Sequence, residues 1–198
     1  MDKLNVKIIL GSTRPGRFSE KVGAWILEIA KARPDLNVEL LDLRDYPMPF
    51  FNEAMSPNYK KEPYTEPSVV KWTAKIAEGE AYIMVAPEYN HGYSAVLKNA
   101  IDYIGPEWHD KAVGFVSYGS VAGGRVVEQL REVAVELQMA PIRSAVHIPW
   151  DIYMKVSGFA GTPEPEALKG ADTHANTMID QLIWWGNALK VARAAKKA

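Results

Sequence analysis

Residues Ala81-Tyr82-Ile83-Met84-Val85-Ala86 form an uninterrupted apolar run that stops at Pro87. A strand with one wet face alternates apolar and polar residues, so a run without alternation predicts a strand buried on both sides. That feature constrains the fold most, because a sheet buried on both faces needs helices above and below it. Leu4 to Leu10 reads the same way, with Val6, Ile8, Ile9 and Leu10 ending at a Gly-Ser turn signal.

Helical spacing fills the gaps between such runs. After Phe18, apolar residues recur at Val22, Ile26 and Ile29 until Arg33-Pro34 ends the run. Val38 to Leu41 supplies a short second strand. Residues 42–67 carry Pro47, Pro49, Pro57, Pro63 and Pro67 without periodicity and predict a long irregular connection. Val69, Trp72 and Ile76 mark a second helix. A third runs through Val96, Leu97, Ala100, Ile101 and Ile104 to Gly105-Pro106.

Ala112 to Ser117 is the fourth strand, and Val126, Leu130, Val133 and Leu137 repeat as one face of a fourth helix. Ile142 to Ile148 is read as strand five and residues 149–171 as irregular. The last helix carries Met178, Leu182, Trp185 and Leu189 ahead of a basic tail. Strands alternating with helices predict an α/β fold, a parallel sheet connected by right-handed crossovers. Ligands of such sheets bind beyond the carboxyl ends of the strands, where strand order reverses. The segments after strands one, three and four are therefore the expected site.

Composition narrows the chemistry. The 198 residues fit one domain spanning 1–198, and 47 % hydrophobic content suffices for a core on both faces of a sheet. Basic and acidic side chains nearly balance, 23 against 24, which predicts neither a nucleic-acid binder nor a strong acidic field. With no cysteine there is no disulfide framework, thiolate metal site or cysteine nucleophile. The N-terminal segment lacks a signal-peptide apolar region, and no apolar stretch has membrane-spanning length, so a soluble cytoplasmic protein without a membrane partner is expected.

Gly11-Ser12-Thr13-Arg14-Pro15-Gly16-Arg17-Phe18-Ser19 joins a strand to a helix, where free backbone N–H groups and the helix dipole favour an anion. Hydroxyls on Ser12, Thr13 and Ser19 and a charge on Arg14 or Arg17 suit a phosphate. Arg17 and Phe18 stand where a Walker loop needs Lys and Ser/Thr, and no G-x-G-x-x-G occurs, so both an NTPase and a tightly held dinucleotide are disfavoured. A plain helix N-cap is the alternative for any single hydroxyl.

Pro87-Glu88-Tyr89-Asn90 leads into Leu97-Lys98-Asn99-Ala100-Ile101-Asp102, and Ser117, Gly119, Gly123 and Gly124 follow strand four. With the Gly11–Ser19 loop these make an ordered trio, and the sequence resembles the NADPH-dependent FMN reductase family of flavodoxin-like proteins, relatives of quinone, chromate and azo-dye reductases. The resemblance spans nearly the first 150 residues. It implies a flavodoxin-like three-layer sandwich with a five-stranded parallel sheet in the order 2-1-3-4-5. It also implies bound FMN, with NADPH or NADH as hydride donor and a small acceptor such as a quinone.

The FMN phosphate is expected at Ser12, Arg14, Phe18 and Ser19, with Arg17 a further member of that variable loop. Pro87, Glu88, Tyr89 and Asn90 are expected along the ring and ribityl chain, and Ser117, Tyr118, Gly119, Gly123 and Gly124 at the pyrimidine side. Taken alone, Asn90 and Gly92 also fit a turn, and so does the glycine-rich stretch. No dedicated catalytic side chain and no metal ligand is expected, since the cofactor carries the chemistry. His91 is read as exposed and His147 as packed. Ser117 lacks evident triad partners. Trp72, Trp108, Trp150, Trp184 and Trp185 are read mostly as core or subunit-interface anchors, and the family implies a homodimer or homotetramer. A flavodoxin-type electron carrier is the alternative, weakened by the small net charge, and a flavin-free scaffold is a second.

Overall fold

The computed structural model describes residues 2–159 and 161–196, so Lys197 and Ala198 of the basic tail lie outside the described residues. Strand β1 (Leu4–Leu10) is flanked in parallel by β2 (Leu36–Asp42) and by β3 (Ala81–Pro87), as its doubly buried sequence requires. Beyond β3 lies β4 (Ala112–Tyr118), whose far edge pairs with β5 (Ala140–Pro141) and β6 (Val146–Ile148). The path β2-β1-β3-β4-β5 is the expected order. Leu10 stands opposite Asp42 on one side and Val85 on the other, so the loops after β1, β2 and β3 emerge together at the point where the order reverses.

Alternation along the strands sends side chains to two separate cores. Leu4, Val6, Ile8 and Leu10 meet Val22 and Ile26 of α1 (Ser19–Lys31) and Met178 and Leu182 of α6 (Asp172–Lys196). Ile9, Tyr82 and Met84 face the other way, toward α2 (Pro67–Glu78), α3 (Ala95–Asp102) and α4 (Gly124–Glu136). Trp72 and Trp108 are fully buried there, and the Trp72 indole N–H is satisfied by the Ala100 carbonyl at 2.8 Å. Trp150, Trp184 and Trp185 instead remain exposed. No helix among the described residues is long and apolar enough to cross a membrane.

Two expectations need correction. Strand five is not continuous over 142–148. Ala112 and Val113 pair with Ala140 and Pro141, and pairing resumes with Val116 opposite Val146, so three steps on β4 face five on its neighbour and two extra residues bulge out. The released backbone finds side-chain partners: the Arg131 guanidinium takes the Ile142 and Arg143 carbonyls, and Gln181 accepts from the Ser144 N–H.

Residues 149–171 are likewise not irregular throughout, and residue 160 lies outside the described residues. They hold α5 (Trp150–Ser157) and a 3₁₀ segment, Pro165–Ala171. Pro149 precedes the first turn of α5 and Gly158 ends it in a left-handed conformation, φ 82°, while Ile152, Tyr153 and Val156 supply an inward face.

Candidate functional site

The loop after β1 is organised by where its carbonyls go. The Gly11 carbonyl accepts the Ser94 hydroxyl at the start of α3, and the Ser12 carbonyl accepts Arg17 Nη1. Arg44 takes the next two, with Nε on Thr13 O at 3.3 Å and Nη2 on Arg14 O at 2.6 Å. Four successive carbonyls are thus drawn to side chains. By contrast the N–H groups of Thr13, Gly16 and Ser19 have no backbone acceptor among the described residues. Such an unpaired N–H set at a helix start is an anion cradle.

Helix α1 is not capped by a hydroxyl: its N-cap is Phe18, with no side-chain hydrogen bond. Ser19, the first helical residue, is fully buried, and its Oγ has no hydrogen-bond partner. The N-cap alternative therefore fails for Ser19, and a buried hydroxyl is left with bonding capacity for a ligand.

Arg17 and Arg14 separate in role. Arg17 is buried, pairs bidentately with Asp42 at the end of β2 and reaches Glu20 at 3.1 Å, so its guanidinium is committed to the protein even though the residue borders the hollow beside the loop. Its hydrogen bond to Asp42 raises its pKa further. For Asp42, burial alone would raise the carboxyl, but bonds from Arg17 and from the Arg44 N–H outweigh it and hold the pKa below the ordinary 3.8. Arg14 stays exposed, its guanidinium 5.3 Å from the centre of the Tyr89 ring.

The loop after β3 is a tight two-residue hairpin turn. Asn90 and His91 both have positive φ, 49° and 73°, and Tyr89 and Gly92 exchange backbone hydrogen bonds at 2.9 and 3.0 Å. The turn is pinned from α4: Arg125 pairs with the buried Glu88 carboxylate and places Nη1 2.7 Å from His91 Nε2, while Gln129 donates to the His91 carbonyl at 3.0 Å. Glu88, expected along the ring, therefore spends its carboxylate on α4. Tyr89 instead turns its hydroxyl to Ser12 Oγ at 2.8 Å, joining the first and second loops. His91 is exposed, as read.

After β4, Ser117 Oγ donates to the Ala122 carbonyl at 2.9 Å and sits 2.9 Å from His147 Nδ1. With its proton committed to a carbonyl, Ser117 is a brace of the loop rather than a nucleophile. His147 is exposed rather than packed, although partial burial of its ring still lowers its pKa. Gly123 has φ 75°, and a Cβ there would lie 2.6 Å from the Ser117 Cβ, so both the conformation and the close approach require glycine. Gly119 backs onto Glu88 in the same way. Gly124 opens α4 with free space about it.

Between these loops lies a cavity of about 300 Å³ lined by Arg14, Phe18, Lys21, Tyr89, Tyr118 and Tyr153, among others. Tyr153 of α5 stands 4.5 Å from Phe18 and stacks on Trp150 at 4.9 Å and 11°. Burial pushes the Tyr118 phenol well up, and the neighbouring Ser19 hydroxyl and N–H, too far for a well-formed bond, oppose that only slightly. The structure thus gathers Arg14, Arg17, Phe18, Tyr89 and Tyr118 around one aromatic, cationic hollow, with Ser12 buried behind it on the Tyr89 hydroxyl and Ser19 buried at the start of α1. Sequence reasoning missed Asp42 and Arg44, which carry no motif, and Tyr153, whose helix start after Pro149 was the available signal.

Comparison with known proteins decides the family. The profile of the NADPH-dependent FMN reductases matches residues 4–151. This chain belongs to that family. An NAD(P)H-dependent FMN reductase of Schizosaccharomyces pombe is 34 % identical over 148 residues, covering 74 % of each chain. The NAD(P)H:quinone oxidoreductase of Solanum tuberosum is 31 % identical over 141 residues, covering 69 % of this chain and 70 % of its own. Among solved structures, the flavoenzyme FerB of Paracoccus denitrificans, an NAD(P)H:(acceptor) oxidoreductase, superposes with a TM-score of 0.68 at 18 % identity. That match covers 90 % of this chain and 97 % of FerB and bears on the fold alone.

As a member of the FMN reductases the chain is an FMN-dependent NAD(P)H oxidoreductase. Its residues fit the cofactor: the unpartnered Ser19 hydroxyl and outward-turned carbonyls suit a phosphate, and the aromatic hollow suits the apolar part of a flavin.

Proposed function

We propose that this reductase binds the FMN phosphate on the Gly11–Ser19 loop and passes electrons from NAD(P)H to a small acceptor of the quinone type. The observation that carries the reading is the first loop itself, with successive carbonyls drawn away and a buried, unpartnered Ser19 hydroxyl at the start of α1. Ser12, Ser19 and the loop N–H groups hold the phosphate, and Arg14 neutralises it. Arg17 supports the loop from behind. Tyr89, Asn90 and the Pro87–Glu88 backbone border the ring and ribityl chain on one side. The backbone from Ser117 and Tyr118 through Gly119, Gly123 and Gly124 offers N–H groups to its polar edge.

FMN supplies hydride acceptance from the nicotinamide and donation to the acceptor. The protein's share is placement, exclusion of water by Phe18, Tyr118 and Tyr153, and stabilisation of negative charge by fixed backbone donors. A quinone acceptor is supported by the quinone reductases among the relatives. The same proposal includes a single domain over residues 1–198, a cytoplasmic location in keeping with the cysteine-free composition, and a homodimer or homotetramer, for which the exposed Trp184 and Trp185 offer apolar surface.

The test is direct. The purified protein is expected to release FMN on denaturation and to oxidise NADPH faster when a quinone is added. Failure to take up FMN when supplied in excess would remove the proposal, and FMN uptake without turnover would turn it toward an electron carrier.

A further inference from the structure

Three residues beside the phosphate loop spend their charges on the protein. Asp42 ends the edge strand β2 and receives both terminal nitrogens of Arg17. Through Oδ1 it also accepts the Arg44 N–H at 2.9 Å, which caps the 3₁₀ turn Leu43–Asp45 and sends the Arg44 side chain back across the loop. There each Arg44 nitrogen is committed: Nε to Thr13 O, Nη2 to Arg14 O, and Nη1 to Glu20 at 2.7 Å. Arg17 is committed likewise, to Ser12 O, Asp42 and Glu20.

We propose that Asp42, Arg17 and Arg44 are positioning residues that make this enzyme select the phosphorylated flavin over riboflavin, by holding the Ser12, Thr13 and Arg14 carbonyls away from the anion. The inference rests on the phosphate reading above and adds to it the cause of the loop's shape. A peptide carbonyl turned toward a phosphate would repel it. Turning the Ser12 carbonyl outward also frees the Thr13 N–H of the same peptide, whereas the Arg14 N–H points to Ser12 Oγ at 3.4 Å and Pro15 has no N–H, so at Thr13 and Arg14 the gain is removal of the carbonyl alone. Guanidinium groups suit the task because their planar, rigid fork fixes the positions of two adjacent carbonyls, whereas an ammonium on a flexible stem leaves their geometry less defined. The charge is also matched. Arg14, Arg17, Lys21 and Arg44 stand against Asp42 and Glu20, leaving a cationic excess of two for a phosphate dianion. Riboflavin has no phosphate and would be indifferent to all of this.

The experiment strips flavin from the protein and titrates it with FMN and, separately, riboflavin, reading the quenching of flavin fluorescence. Wild type is expected to prefer FMN by about a hundredfold, as two charge-assisted hydrogen bonds would give. Arg44→Ala is expected to narrow that ratio about tenfold through the FMN titration alone, with riboflavin affinity unchanged. Arg44→Lys keeps the charge but not the fork and should stay narrowed, and the loss should persist at high salt, where simple attraction is screened.

An unchanged ratio in Arg44→Ala overturns the inference. So does an equal loss for both flavins, which would mark a general support of the fold, or full recovery by Arg44→Lys, which would mark charge alone. A wild-type ratio near one overturns the phosphate reading and the inference with it. Asp42→Asn, read by the same ratio, provides an independent second variant.

Discussion

Asp42 concentrates the residue-scale energetics of the site. Its partner Arg17 has a side chain 1 % exposed, so Asp42→Asn leaves a buried guanidinium with only the Glu20 carboxylate and the Ser12 carbonyl, and is expected to destabilise the fold by about 2 kcal/mol in urea at neutral pH. The pH dependence follows from the depressed carboxyl. A group held below its unfolded value contributes stability in full above 3.8, and loses it as pH falls through the lower folded value. The gap between wild type and Asp42→Asn should therefore be widest near neutrality and shrink as pH falls below 3.8 and through the lower folded value, a pattern that urea titrations at neutral and acid pH would check. Gly123→Ala tests a different physics: at φ 75°, with Ser117 Cβ 2.6 Å away, it should cost about 2 kcal/mol and loosen the loop after β4. The sequence made Gly123 legible, because glycine between a strand and a helix signals such a turn. It could not make Asp42 legible, because Arg17 meets it 25 residues away across two strands, and only the parallel register of β1 with β2 brings them together.

At the scale of elements, strands and helices with clear periodicity were readable because burial imposed the pattern. Ala81–Pro87 is buried along its whole length, and its sequence says so. The misread elements are those stabilised by side chains from elsewhere. β5 and β6 look like one strand in sequence, since nothing local reveals that Arg131 and Gln181 will satisfy the bulged backbone between them. Helix α5 was hidden by the Pro and Gly density that follows it, although Pro149 and Gly158 mark its ends. Its consequence is functional. Tyr153 leans on Phe18 and, through a wider stack at 6.3 Å, on Tyr118, so α5 roofs the hollow beside the Gly11–Ser19 loop. Tyr153→Ala removes that roof while leaving the loop bonds intact. It is expected to release FMN about tenfold faster, the worth of roughly one aromatic contact, as followed by the return of free-flavin fluorescence on dilution.

For the whole molecule, the topology sets the kinetics. Because β1 and β3 are neighbours and β2 lies outside them, one crevice opens where the sheet reverses, and the loops after β1, β3 and β4 all converge on it. The first two loops are tied to each other by Ser12 with Tyr89, the second is tied to α4 by Glu88 with Arg125, and the third is braced within itself by Ser117 with Ala122. With a crevice shared by all three loops, nicotinamide donor and small acceptor are expected to occupy it in turn. Initial rates measured over a grid of NADPH and quinone concentrations should accordingly give parallel reciprocal lines, and excess quinone should slow turnover by competing with NADPH for the same space. Intersecting lines would require both partners to be bound together.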